Sequence, residues 1–214
     1  MRIGLIAALA ATVAFFAAWP AAAQGIDMAA MEKWAKVQIV HYEAVGEFRQ
    51  KQVQIPAVDA DLYADVVERV HLSFDWDQKK KVIAGTPKIR NEAAVVSNIV
   101  GIDKKCPYGK LNGAYEHFEV DQVKQSRPGE ALELVGRRVH PDTMVSESCS
   151  SKLRLFKGAV KPAKEYIAPA GPEMLAMAKM MPAGGPFTVT PDGKSIVMKA
   201  QNSNWVWTFT PTAK

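Results

Sequence analysis

From Asp65 to Asp77 the chain alternates: Val66, Val70, Leu72, Phe74 and Trp76 share one parity, while Arg69, His71, Ser73, Asp75 and Asp77 share the other. Successive side chains of a strand point to opposite faces, so this pattern predicts a strand with one buried and one wet face. Glu68 interrupts the apolar parity and Val67 the polar one. The alternation returns from Tyr115 to Val123, where Phe118 and Val120 oppose Tyr115, His117 and Glu119. Leu132 to Val139 reads as its partner, and Pro128-Gly129 marks the turn between them. Val37 to Phe48 is a further strand, which Gln52 to Ile55 either continues or pairs with before Pro56 ends it. Lys152 to Phe156 adds a short one, and Pro87 to Ile102 fits helix or buried strand equally well.

Near the C-terminus, Phe187 to Thr190 and Ser195 to Lys199 flank Asp192-Gly193, a pair that accepts the positive φ angles of a tight hairpin turn. Gln201 to Asn204 reads as a second turn leading into Trp205-Val206-Trp207-Thr208-Phe209, with its aromatics on one face. Together these predict a three-stranded meander. Two helices are expected, one from Asp27 as cap to about Lys36 and one over Pro172 to Met181, where proline suits the first turn. The predicted fold is therefore mainly β (α+β): a curved antiparallel sheet or open barrel with a short helix near each end.

Arg2, the apolar run Ile3 to Phe16 and the small residues Ala21 and Ala23 have the form of a secretory signal peptide. The expectation is that residues 1–23 are removed and residues 24–214 fold as a single β-rich domain in the periplasm or outside the cell. The run is too short, and is broken at Pro20, for the roughly 20 residues of a spanning helix. No membrane span is expected after cleavage. In an oxidising compartment the two cysteines, Cys106 and Cys149, have one possible pairing. Such a bridge contributes about 4 kcal/mol in the chain-entropy account. The formal net charge of +5 is spread along the chain. Its one basic run, Lys79-Lys80-Lys81, follows Asp75-Trp76-Asp77 as a solvated turn would, so the basic stripe of a nucleic-acid binder is missing.

Nucleotide-loop, dinucleotide, zincin and hydrolase-elbow motifs are absent, which argues against the common enzyme classes. Three groups of residues carry candidate chemistry. His41 with Glu43, and His117 with Glu119, stand two apart on strands and can each offer a metal two ligands. Met174, Met177, Met180 and Met181 share one face of the second helix, a thioether stripe suited to Cu(I) or to packing. Phe74, Trp76, Trp205, Trp207 and Phe209 form an aromatic face able to fill a core or line a ligand cavity.

The leading expectation is a non-enzymatic binding or carrier protein for a small apolar or amphipathic ligand, without a cofactor, using Phe74, Trp76, Met174, Met177, Met181, Trp205 and Trp207. An envelope protein-interaction module is the alternative. A copper or zinc protein, or a metal-dependent enzyme, built on His41 and His117 is the second alternative.

Overall fold

The computed structural model describes residues 36–56, 60–103, 111–112, 116–139, 143–146, 152–154, 160–167, 187–190, 194–200 and 203–213. They form thirteen strands: β1 (Ile39–Pro56), β2 (Ala60–Asp77), β3 (Val82–Asn91), β4 (Val95–Asp103), β5 (Leu111–Asn112), β6 (His117–Gln125), β7 (Leu132–Val139), β8 (Thr143–Ser146), β9 (Lys152–Arg154), β10 (Lys161–Ile167), β11 (Phe187–Val189), β12 (Ile196–Lys199) and β13 (Trp205–Ala213). The fold is mainly β and every strand pair is antiparallel, with no helix and no closed barrel among the described residues. The expected helix over Pro172 to Met181, the one from Asp27 except for its last residue, Lys36, and the cysteines Cys106 and Cys149 lie outside the described residues.

The large sheet runs β11-β12-β13-β1-β2-β3, and β4 pairs with the N-terminal half of β2 while β3 pairs with its C-terminal half. A second sheet runs β10-β7-β6 and a small third one β5-β8-β9. The β1–β2 hairpin is the spine, with eighteen residues in each strand. β2 keeps one parity throughout: Leu62, Ala64, Val66, Glu68, Val70, Leu72, Phe74 and Trp76 are all buried. The strand expected from Asp65 therefore begins five residues earlier, and Glu68 faces the core like its apolar neighbours.

β1 does not keep one parity. Its register to β2 slips between Gln50 and Val53, where Gln52 takes a φ of 49°. The extra residue moves the inward set from Val40, Tyr42 and Ala44 to Val53 and Ile55. A matching irregularity in β4 places Asn98 at φ 49° on the other side of β2. Asp65, between the two, accepts hydrogen bonds from the Gln52 backbone N–H at 2.9 Å and from Asn98 Nδ2 at 2.7 Å. One carboxylate thus braces both bulges and the bend they impose.

The main core lies between the large sheet and the β10-β7-β6 sheet. Val40, Tyr42, Leu72, Phe74, Trp76, Ile196, Trp205, Trp207 and Phe209 from the first meet Phe118, Val120, Leu132, Leu134 and Ile167 from the second. A smaller cluster of Ile55, Leu62, Ala64, Val66 and Ala94 occupies the far end of the hairpin. At one corner the sheets are joined by side chains in place of a ladder. Asn91 pairs with both backbone groups of Val120, at 3.0 and 2.9 Å, and the Glu68 carboxylate accepts the Phe118 N–H at 2.9 Å. Gly136 on β7 lies so close to β6 that an added Cβ would sit 1.9 Å from the Glu119 carbonyl oxygen.

Candidate functional site

The inner face of the large sheet is an aromatic layer. Trp205 stacks on Trp207 with ring centroids 5.8 Å apart, Trp207 stacks on Phe209 at 6.3 Å, and Tyr42 stacks on Phe74 at 5.6 Å. Phe118 reaches over from the second sheet to meet Trp205 edge-on at 6.2 Å. The layer forms because β13 lies beside β1 in a register that sets Trp205 opposite Phe48, Trp207 opposite Gly46 and Phe209 opposite Ala44. Gly46 and Ala44 on β1 leave room for Trp207 and Phe209 on β13, while Phe48 packs ring to ring against Trp205. At Gly46 that room is filled: an added Cβ would lie 2.6 Å from the Trp207 ring.

Two polar atoms are trapped in this layer. The Tyr42 hydroxyl and Trp207 Nε1 are both fully buried without a hydrogen-bond partner among the described residues. Burial pushes the Tyr42 phenol well above the ordinary tyrosine range, so it stays neutral and able to donate. The indole N–H can only donate. Each orphaned group costs about 1–3 kcal/mol relative to a satisfied one.

A second polar group faces inward on β10. Ala163, Glu165 and Ile167 share its inner parity, Ala163 and Ile167 contact the main core, and Glu165 sits opposite the buried Leu134. Its carboxylate accepts the Ser203 hydroxyl at 2.8 Å, across the gap from β10 to the β12–β13 turn. Desolvation raises its pKa, against the lowering influence of Ser203, the Tyr166 backbone N–H and the more distant Arg138 charge. Arg138 itself is committed elsewhere: it donates to Glu68 at 2.8 Å and lies 5.6 Å from the centre of the Phe48 ring.

The outer face of the same sheet carries a histidine–carboxylate ladder. The β1–β2 register sets His41 opposite Asp75 and Glu43 opposite Ser73. His41 Nδ1 lies 2.7 Å from Asp75, and Nε2 lies 3.0 Å from Glu43 and 3.3 Å from Ser73 Oγ. His71 pairs with Glu92 at 2.7 Å. Ser73, His41 and Asp75 have the spacing of a nucleophile, base and orienting acid, but Glu43 also accepts the Ser73 hydroxyl at 2.9 Å. Hydrogen bonds to Asp75 and then Glu43 raise the His41 pKa, which favours an imidazolium bridging two carboxylates over a general base.

The residues singled out in the sequence are thus divided. Phe74, Trp76, Trp205 and Trp207 come together in one buried cluster. Met174, Met177, Met180 and Met181 lie outside the described residues. His41 stands on the outer face of the large sheet and His117 on β6 of the second sheet, and among the described residues no three histidine, cysteine or acidic side chains group as a metal site. The sequence reading did not single out Tyr42, Arg138, Glu165 or Ser203. Glu68 alone left a trace, as the acidic break in the β2 alternation. Among the described residues no helix is long and apolar enough to cross a membrane. No family model, curated protein or solved structure matches the chain.

Proposed function

We propose that the chain is a non-enzymatic carrier of an amphipathic ligand, exported from the cytoplasm, which takes the ligand between its two main sheets against the aromatic layer. The observation that carries this reading is the pair of orphaned donors, the Tyr42 hydroxyl and Trp207 Nε1, inside an otherwise apolar core. At position 42 a packed interior is served as well by phenylalanine, which fills the same space without an unsatisfied hydroxyl. Because an indole N–H accepts nothing, its partner must present an acceptor, such as a carbonyl, ether or hydroxyl oxygen. An apolar chain bearing such an oxygen satisfies both the donors and the surrounding rings.

Titration with monolaurin below its aggregation concentration, followed by tryptophan fluorescence, tests the proposal. Saturable binding is expected for the wild type, with weaker binding by Tyr42→Phe and Trp207→Phe. Tyr42→Phe, which keeps the ring and removes only the unsatisfied hydroxyl, should be more stable than the wild type by up to about 1–3 kcal/mol, whereas Trp207→Phe also leaves a cavity in the stacked layer that offsets any such gain. Wild-type protein that shows no saturable change sinks the reading, as do variants that bind equally well.

A second reading, docking of an envelope partner, is favoured by β10. It is an edge strand of its sheet, and Tyr166 at 57% and Val160 at 59% exposure stand on or beside it. Lys161, Pro162 and Lys164 on the same segment work against strand addition. Recovery of a stoichiometric partner that Pro162→Thr binds more tightly would favour this reading over the carrier.

A further inference from the structure

We propose that Glu165 marks a cation-binding subsite at the seam between β10 and the β12–β13 turn, where the ammonium group of an amphipathic amine docks. The proposal rests on the carrier reading and names its ligand class.

Three observations converge on this place. First, Glu165 lies on the inward parity of β10 between Ala163 and Ile167, beside the apolar Leu132 and Leu134 of β7. Desolvation of this half-buried carboxylate disfavours the bare charge and favours a nearby cation or a proton. Second, no cation among the described residues is available to it. Arg138 is held by Glu68, Lys164 turns to Glu133 on the opposite face, and Lys161 lies exposed four residues back at the start of β10. Among the described residues, Glu165 therefore has no cation hydrogen-bonded to it. Its hydrogen-bond partner across the gap among the described residues is neutral, the Ser203 hydroxyl.

Third, the location suits a headgroup. β10 and the β12–β13 turn are not joined by a strand ladder, and the Glu165–Ser203 hydrogen bond spans the gap between them. Ser203 is two residues from Trp205, whose backbone N–H contacts the same hydroxyl at 3.4 Å. Trp205 opens the stacked series that runs through Trp207 to Phe209. An amine at Glu165 would therefore place its hydrocarbon chain along that series, with the orphaned indole N–H of Trp207 further in. The aromatic face beside the subsite also favours a cation over a neutral head.

Calorimetric titration of the purified chain at neutral pH with dodecylamine, dodecanol and dodecanoate, each below its aggregation concentration, tests the assignment. The wild type is expected to bind dodecylamine about ten- to a hundredfold more tightly than dodecanol, the difference a charge-assisted hydrogen bond makes. Glu165→Gln should lose that preference, and Glu133→Gln, altered on the opposite face of the same sheet, should keep it. Equal binding of amine and alcohol by the wild type, or tightest binding of dodecanoate, overturns the subsite while leaving the carrier reading intact. Retention of the preference in Glu165→Gln overturns it too. If none of the three ligands binds, the carrier reading fails and the subsite falls with it.

Discussion

Glu68 offers the sharpest test of how the two sheets are held together. Its carboxylate is 2% exposed and both oxygens are used, one by the Arg138 guanidinium at 2.8 Å and one by the Phe118 backbone N–H at 2.9 Å. Glu68→Ala removes both acceptors at once and leaves a half-buried guanidinium and a strand N–H without partners. Breaking a buried pair by deleting one member costs about 3–5 kcal/mol. Against a typical net stability of about 5–15 kcal/mol, that is a large fraction of the whole. Urea unfolding of Glu68→Ala, Arg138→Met and the double variant closes a cycle. Each single change should be strongly destabilising, and the double variant should recover part of the loss, with a coupling of about 1–3 kcal/mol. A Glu68→Ala loss under about 1 kcal/mol at unchanged denaturant slope, or a coupling near zero, would refute the idea that this pair joins the sheets.

Gly46→Ala drives a methyl group into the Trp207 ring and should cost about 1–3 kcal/mol, measured by urea unfolding, with Trp207→Leu relieving part of it. Raising the pH should weaken the outer ladder. The folded His41 pKa lies above its ordinary 6.5, so its contribution is complete below that value and lost as pH climbs through the folded pKa. Wild-type stability should therefore fall, as pH rises from below 6.5 through the folded pKa, by more than that of His41→Gln, and parallel curves would refute the assignment. Glu43 works in the opposite direction: His41 chiefly lowers its pKa, so its contribution is present above 4.5 and fades in acid. Glu165 behaves unlike both. Its raised folded pKa means the native state prefers the proton, so Glu165→Gln should be more stable than the wild type above that pKa and lose the advantage in acid. Thermal unfolding across pH reads this directly.

Much of the fold follows from local alternation. β2 and the β11–β12–β13 meander are legible because each strand keeps one parity, while the turn pair Asp192-Gly193 lies outside the described residues. β1 beyond Gln50 is not, because one extra residue at a bulge switches the buried set from even to odd positions, and alternation then misleads. β10 is hidden for a different reason. Its inward parity contains Lys161 and Glu165, and Pro162 sits beside them, so the segment reads as irregular until pairing with β7 shows it to be an edge strand. Thirteen strands are present among the described residues, and β10 is one that the alternation does not mark.

The candidate site was legible in its apolar half only. Trp205 and Trp207 announce an inward aromatic face, and Phe74 and Trp76 join it through the parity of β2. The polar half depends on contacts between distant segments. Glu68 meets Arg138 across seventy residues and Glu165 meets Ser203 across thirty-eight, and no local period encodes either. The isolation of the Tyr42 hydroxyl and Trp207 Nε1 is likewise a property of the assembled core, since aromatic residues at these positions satisfy the same pattern whether or not their polar atoms find partners.

Native mass spectrometry of the chain, purified without detergent from the compartment where it accumulates, tests the carrier account most directly. The account predicts a population heavier than the mass calculated from the sequence, with the excess released by organic solvent and identified as an amphipath carrying both a basic nitrogen and an oxygen acceptor. A single species at the mass of the bare chain, unchanged by solvent, would contradict it.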